Sequence, residues 1–346
     1  MLTREQERPV DVSVIVPNYS SDDGVMLMEA VTSIFLTQRD LSVELIVVDN
    51  ASPDRSVSTL LTAYPNVRVI RNDRNLGFAM ANNQGLEVAR GRYLLMLNSD
   101  AKLLDGALCS MVEYLDTHSD TAIVGAKLLL MDDPRRLDSV PTNLLRFGYV
   151  YNVGWRSIDD ERWHDAKAVF TVKGACALVR TDLLRRHGFL VDDYFAYFEE
   201  TELCWRMWIL GERVVWLPQA VVLHGLGKTT TRFPSAFLDY HSFKNRLAAN
   251  LTLFEWHSLL VAIPMQIALM GAATVFYLLR GRRTNAFAVV RAFAWNVARL
   301  PKTIADRRRI GRIRVRSDRE LFSLVGRSID PVAFLRYALA YGERST

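Results

Sequence analysis

The chain has 346 residues, 50% hydrophobic and 23% charged, enough to bury one α/β core with about a hundred residues left over. A formal net charge of +5 and a pI near 9.1 fit a partner that carries phosphate, whether nucleotide, lipid headgroup or nucleic acid. Cys109, Cys176 and Cys204 are far apart and form no CxxC pair, which argues against a disulfide framework and against a cysteine zinc cluster.

Residues 1–10 are polar and charged, so no cleaved secretory signal is expected and the chemistry is placed on the cytoplasmic side. From residue 12, short β-branched runs alternate with longer helical stretches, the pattern of a mostly parallel central sheet covered by helices on both faces. Strands are expected over 12–16, 43–48, 67–70 and 93–97, with helices near 25–36, 55–64 and 77–89. In such sheets ligands gather where strands end. Three of these ends carry polar groups: Pro17-Asn18-Tyr19, Asp49-Asn50 and Asn98-Ser99-Asp100. The stretch 131–167 has no sustained period and reads as a substrate-side excursion. A strand at 168–172, a small-residue turn at Gly174-Ala175, a helix near 201–210 and strands at 213–217 and 220–224 follow.

Beyond about residue 250 the composition changes. Ser258 to Leu279 is apolar and long enough to cross a bilayer, although Pro264 and Gly271 interrupt it. Asn285 to Leu300 sets Arg291 and Arg299 among apolar side chains, as in a helix lying in the membrane interface. Lys302, Arg307, Arg308, Arg309, Arg312, Arg314 and Arg316 then form a basic cluster suited to anionic lipid. The alternative is a buried helical hairpin with a charged end. Nucleic acid is not expected as a partner, since no aromatic platform interleaves the arginines. The expected division is a catalytic domain over 1–250 and a membrane-associating helical region with a basic tail over 251–346.

No glycine-rich turn follows the first strand, and no GxxxxGK[ST] occurs, so nicotinamide and ATP chemistry are disfavoured. Asp49, fixed at a strand end, can accept hydrogen bonds from a pyrimidine N–H or from ribose hydroxyls, whereas Asp54 is placed to cap the helix after Pro53. In Arg74 to Gly85, Gly77 permits close approach and Asn75 and Asn82 supply amides. A departing diphosphate builds negative charge, which a divalent cation on Asp100 would neutralise, with His224 as a second candidate ligand. Glu199, Glu200 and Glu202 open a helix, where the dipole favours acids on its own account. Glu202 is four residues from Arg206 and should pair with it. That leaves Glu199 and Glu200 as candidates for a general base of raised pKa.

Taken in order, Val14-Ile-Val-Pro17-Asn-Tyr19, Val48-Asp-Asn-Ala-Ser-Pro-Asp54, Asn75-Leu-Gly-Phe78, Leu97-Asn-Ser-Asp100, Phe198-Glu-Glu-Thr-Glu-Leu-Cys-Trp-Arg206 and His224-Gly-Leu-Gly-Lys-Thr229 resemble glycosyltransferase family 2. More narrowly they resemble its bacterial rhamnosyltransferase-like members, which build cell-wall or surface polysaccharide on a polyprenyl-diphosphate lipid. The resemblance spans roughly residues 12 to 250. It implies a GT-A fold, a dTDP-, UDP- or GDP-sugar donor, Mg²⁺ or Mn²⁺, a lipid-linked glycan acceptor, and inversion by single displacement. Pro17, Asn18, Tyr19, Asp49 and Asn75 would then hold the nucleotide, together with Gly77, Asn82, Asn98 and Ser99. Asp100 would stand for the last acid of the DxD motif, His224 for the late metal ligand and Glu200 for the base, with Gly174, Ala175 and Phe198 on the acceptor side. Asn98 stands in place of the first DxD acid, which shifts weight onto His224. Glu200 stands where many relatives have Asp, so Glu199 stays a rival for the base. Asn98 also motivates a second reading, a catalytically silent nucleotide-sugar-binding scaffold at the membrane.

Overall fold

In the computed structural model, which describes residues 9–327 except 21, 139–141, 153 and 226–232, the β-branched runs become strands and the intervening stretches helices. β1 (Val12–Asn18), α1 (Val25–Thr37), β2 (Val43–Asp49), α2 (Ser56–Ala63), β3 (Arg68–Arg71), α3 (Gly77–Val88) and β4 (Tyr93–Leu97) succeed one another as β-α units. β5 (Ala101–Leu103), α4 (Ala107–Thr117) and β6 (Thr121–Leu130) follow, then the short β7 (Thr142–Leu144), β8 (Val150–Asn152) and β9 (Lys167–Ala168). The mixed half closes with β10 (Cys176–Arg180), α5 (Thr181–His187), α6 (Glu199–Ile209) and β11 (Arg213–His224). Five helices complete the described residues: α7 (Ser235–Leu253), α8 (Trp256–Leu279), α9 (Arg283–Ala298), α10 (Leu300–Ile313) and α11 (Asp318–Val325).

The main sheet runs β3-β2-β1-β4-β10-β6-β11-β5, with β9 added beside β11. β3, β2, β1 and β4 are parallel, β10 is antiparallel to β4 and β6, and β11 is parallel to β6. This register brings the C-terminal ends of β1, β2, β4, β6 and β11 to the same edge as the first residue of β10. Strand period 2 divides the core between two faces. Ile15, Ile46, Leu94 and Met96 pack with α3, α5 and α6, whereas Val14, Val47, Leu95 and Leu97 pack with α1, α2 and α4.

Two expectations about strands change. Of the strand expected at 168–172, Ala168 pairs with β11 and Val169 N–H donates to Val214 O at 3.0 Å, whereas Phe170 N–H bonds instead to Thr142 O at 3.0 Å. The pair expected at 213–217 and 220–224 is one strand whose register slips between Leu217 and Val221, because Pro218 has no N–H to give the ladder.

The described C-terminal helices pack against the preceding fold. Leu253, Phe254, Ile310, Leu321 and Val325 are buried in the same core as α6 and β11. The basic cluster is also partly consumed. Arg307 donates to Leu251 O and Phe254 O, Arg314 to Leu253 O, and Arg316 to the carbonyls of Trp208, Gly211 and Glu212. These three arginines hold backbone ends of the fold, while Arg308, Arg309 and Arg312 stay exposed.

α8 has mean hydropathy 2.0 over an 18-residue window that is only 17% buried. Its inward stripe, Ala262, Gln266 and Met270, lies on the body, and Gln266 Nε2 donates to Phe147 O at 2.9 Å. Its outward side exposes Leu260, Val261, Met265, Ile267, Val275 and Leu279, and α9 adds Phe287, Val290 and Phe293. Residues 256–305 contain no Asp or Glu but do contain Arg280, Arg282, Arg283, Arg291, Arg299 and Lys302.

Candidate active site

At the β1 and β2 ends the polar groups form one locked cluster. Asn18 is 1% exposed, and its Nδ2 lies 3.1 Å from Asp49 Oδ1, 3.0 Å from Ser52 Oγ and 3.0 Å from Ser56 Oγ. Ser52 Oγ donates to Asp49 Oδ1 at 2.6 Å, so Asp49 is held in one orientation at the strand end. Pro17 sits within β1 opposite Val48, and the Tyr19 ring stacks near Phe233 with centroids 6.3 Å apart. Asp54 accepts from Ser56 N–H, at the first residue of α2, at 3.0 Å, although the N-cap position itself is Arg55.

Asn75, Gly77 and Asn82 are occupied by local structure. Asn75 Oδ1 accepts from Gly77 N–H at 2.9 Å and Asn50 Nδ2 donates to Gly77 O at 3.2 Å, which fixes the entry to α3. Gly77 has φ +87°, and a Cβ there would lie 2.4 Å from Phe195 O, so only glycine fits. Asn82 is fully buried and donates to Phe78 O, four residues back, at 2.9 Å. The amide of Asn82 is thus turned toward its own helix, and its Oδ1 is buried with no partner among the described residues.

The β4 and β11 ends meet. Gly225 N–H donates to Asp100 O at 2.9 Å, and His224 Nε2 stands 3.4 Å from Asp100 Oδ1 and 3.4 Å from Asn98 Nδ2. Both distances are long for hydrogen bonds and their demands conflict, since the carboxylate wants a proton on Nε2 and the amide wants a lone pair. On its other side, His224 Nδ1 lies 2.9 Å from Asp138 Oδ2. Asp138 is 0% exposed and its Oδ1 has no partner among the described residues. Burial pulls the imidazole pKa down, but hydrogen bonds to Asp100 and Asp138 outweigh it and push it up to about 9. The pocket thus demands positive charge, from an imidazolium or from a cation.

A divalent cation fits this demand. With Nδ1–H directed at Asp138, Nε2 offers its lone pair beside Asp100 Oδ1, a carboxylate and imidazole donor pair. Among the described residues no group of three or more His, Cys, Asp or Glu is placed to hold a metal. The remaining positions would have to come from water and from phosphate oxygens of a ligand. Asp138 was missed in the sequence because it lies in the aperiodic excursion, and no spacing ties it to His224. Ser99 is half-buried beside Asp100, and Leu226 to Thr229 of the late motif lie outside the described residues.

Across the β4–β10 seam, Asn98 N–H donates to Ala175 O at 3.0 Å. A Cβ on the preceding Gly174 would lie 3.5 Å from Glu200 Cβ and 3.4 Å from the Phe78 ring, so Gly174 and Ala175 join the Asn98 end to Glu200. The two glutamates differ in setting. Glu199 is 4% exposed, and burial together with the Glu200 charge holds its pKa well above the usual carboxylate range, against a pull from Lys244. Glu200 keeps part of its surface open; burial raises its pKa and the Lys173 ammonium opposes the rise. Glu202 pairs with Arg206 at 2.8 Å as expected. Phe198, just before α6, takes φ +74°.

A family model described as glycosyl transferase family 2 matches residues 13–188. The hexosyltransferase Agl10 of low-salt glycan biosynthesis in Haloferax volcanii is 23% identical over 253 residues, 71% of this chain and 77% of that protein. The N-acetylglucosaminyl-diphospho-decaprenol L-rhamnosyltransferase of Mycobacterium tuberculosis is 28% identical, over 59% of this chain and 73% of that protein. Coverage of others is smaller: the chain spans 14% of the uncharacterized y4gI protein of Sinorhizobium fredii, at 34% identity over 36% of this chain. Among solved structures, the mannosyltransferase PcManGT of Pyrobaculum calidifontis, in complex with GDP-Man and Mn²⁺, superposes with TM-score 0.51, 18% identity and coverage of 84% of this chain and 88% of that one. GalNAc-T7 with UDP, GalNAc and Mn²⁺ gives TM-score 0.56 at 14% identity, covering 70% of this chain and 48% of that one. The expected GT-A fold is the one present.

Proposed function

We propose that this chain, which belongs to glycosyl transferase family 2, moves a sugar with inversion from a nucleoside-diphosphate-sugar to a hydroxyl of a lipid-linked glycan in surface polysaccharide synthesis. The carrying observation is the meeting of Asp100 and His224 at 3.4 Å on the sheet edge that Glu200 also borders. Rhamnose is the sugar we favour and polyprenyl diphosphate the carrier, on the strength of the decaprenol-dependent relative.

Asp49, held by Asn18 and Ser52, orients the nucleoside by accepting its N–H or hydroxyl protons. Asp100 and His224 Nε2 would hold Mg²⁺ or Mn²⁺, and Asp138, 2.9 Å from Nδ1, would fix the imidazole for that role. When bound, the cation neutralises charge that develops on the departing diphosphate. Glu200, in a partly desolvated setting beside Gly174 and Phe78, takes the proton from the acceptor hydroxyl. Glu199 is the weaker candidate, since it is buried on the Lys244 side rather than on the Gly174 side.

The apolar faces of α8 and α9 lie in the plane of an anionic membrane on its cytoplasmic side. α8 is about 36 Å long at 1.5 Å per residue, enough to span. Its inward stripe, however, is packed on the body from Ala262 to Met270, and crossing would strip those contacts and the Gln266 bond to Phe147.

The test is release of nucleoside diphosphate by the purified full-length protein. Turnover is expected only when a dTDP-, UDP- or GDP-sugar, Mn²⁺ and a lipid-linked acceptor are present together. Donor binding without transfer to any acceptor in a broad panel would instead support the silent scaffold.

A further inference from the structure

The turn that delivers Glu199 and Glu200 is bent against the preference of its own residues. Tyr197 has φ +67° and Phe198 φ +74°, two successive aromatic residues in the left-handed region that suits glycine. Such strain persists only where the surroundings over-determine it. From one side, Phe78 N–H of α3 donates to Phe195 O at 2.8 Å. From the other, Asn245 of α7 reaches the turn with its side-chain amide, Nδ2 lying 2.9 Å from Ala196 O and 2.7 Å from Tyr197 O. The backbone carbonyl of Asn245 accepts the Tyr194 hydroxyl at 2.9 Å, and the neighbouring Lys244 donates Nζ to Asp193 O at 2.6 Å.

Asn245 is 0% exposed, and its Oδ1 is buried without a partner among the described residues. A buried acceptor left unmade is a cost that an apolar side chain of the same shape would avoid. Its presence is explained if the amide hydrogens are what the site needs. Both go to carbonyls within three residues of Glu199, at the point where the chain reverses into α6.

We infer that Asn245 is a positioning residue of the transfer reaction, clamping the strained Ala196–Phe198 turn so that Glu200 faces the sugar rather than solvent. This rests on the reading of Glu200 as the base. The hydrogen bonds of Asn245 go to Tyr194, Ala196 and Tyr197 rather than to Asp49, Asp100 or His224, so its loss should lower kcat while leaving donor affinity alone. A misplacement on the order of 1 Å at a catalytic group can lower the rate about 100-fold.

The experiment uses the full chain with ¹³C-labelled glutamate carboxyls, the Glu200 resonance being assigned by its loss in Glu200→Gln. In Asn245→Ala the Glu200 titration is expected to move down toward the ordinary carboxylate range as the turn relaxes into water. Affinity for UDP with Mn²⁺ should stay within about twofold. Asn245→Ser, which keeps one donor, should show a smaller shift of the same sign and serves if the alanine variant fails to fold. Adding Tyr197→Gly to Asn245→Ala should return the titration toward wild type, because glycine takes positive φ without the clamp. With the donor and acceptor that turn over in wild type, kcat should fall about 100-fold in Asn245→Ala and recover with Tyr197→Gly. An unchanged Glu200 titration in both Asn245 variants would overturn the inference, as would a parallel loss of UDP–Mn²⁺ affinity. Absence of sugar transfer by wild type would sink the proposed function instead, with the titrations still deciding what Asn245 does.

Discussion

Replacing Asp138 by Asn tests whether the Asp100–His224 pair is a cation site. The substitution keeps the side chain's shape but puts an amide 2.9 Å from His224 Nδ1, where a fully buried carboxylate now accepts the ring N–H. An amide can present N–H as well as C=O, so it no longer dictates which ring nitrogen carries the proton or which way Nε2 faces. Nε2 already stands between conflicting neighbours, Asn98 Nδ2 and Asp100 Oδ1, both at 3.4 Å. Loss of the partner behind a metal-bound histidine typically weakens metal affinity about 10–100-fold. At about 1.4 kcal/mol per factor of ten, that is roughly 1.4–2.8 kcal/mol. The assay is Mn²⁺ titration followed by electron paramagnetic resonance of the free ion, with a bound nucleoside diphosphate present and Asp100→Asn as the reference for full loss. Circular dichroism checks that each variant is folded. Mn²⁺ affinity of Asp138→Asn within twofold of wild type, beside a large loss in Asp100→Asn, would refute the argument that Asp138 orients the ligand.

Glu200→Gln should abolish transfer with donor affinity near normal, and Glu199→Gln should retain measurable turnover; the reverse ranking would reassign the base. Burial raises the Glu200 pKa against the pull of Lys173. A base works only when ionised, so kcat should rise with pH through a midpoint above the ordinary glutamate value of about 4.3, and a midpoint at or below that value would contradict the assignment. Arg206→Met leaves the buried Glu202 charge unpaired and frees the carbonyls of His187, Gly188 and Phe189. A loss of about 3–5 kcal/mol is expected in urea unfolding, and one below about 1 kcal/mol would show that the pair is dispensable. Truncation after residue 250 should give unfolded or aggregated protein rather than a soluble catalytic domain, because Phe254, Ile310 and Leu321 leave the core; a monomeric, active fragment would disprove this. Changing Leu260, Ile267 and Phe287 together to Gln should instead release folded protein from anionic vesicles in a flotation assay, and continued flotation would rule out that face as the anchor.

Which parts of the molecule could be read from the chain follows from how far each feature reaches. β1, β2 and β4 were legible because a buried parallel strand needs a continuous β-branched or apolar run, and Val12, Val43 and Tyr93 each begin one. The strand-end groups Asn18, Asp49 and Asp100 were legible for the same reason, since a polar residue closing such a run must lie at the sheet edge. Pairings made across the fold leave no local trace. Asp138 behind His224, and Asn245 beneath the glutamate turn, are an ordinary acid and an ordinary amide in sequence, and only the closing of the sheet and the packing of α7 bring them to their partners. The basic cluster shows the same limit in reverse. The arginines from 307 to 316 have the composition of a lipid-binding patch, yet Arg307, Arg314 and Arg316 meet carbonyls at the ends of α6 and α7. Composition counts charges and cannot say which of them the fold will use. The face proposed to meet the membrane is accordingly argued less from its cations than from the absence of acids from 256 to 305 and from an apolar surface that no other part of the described chain covers.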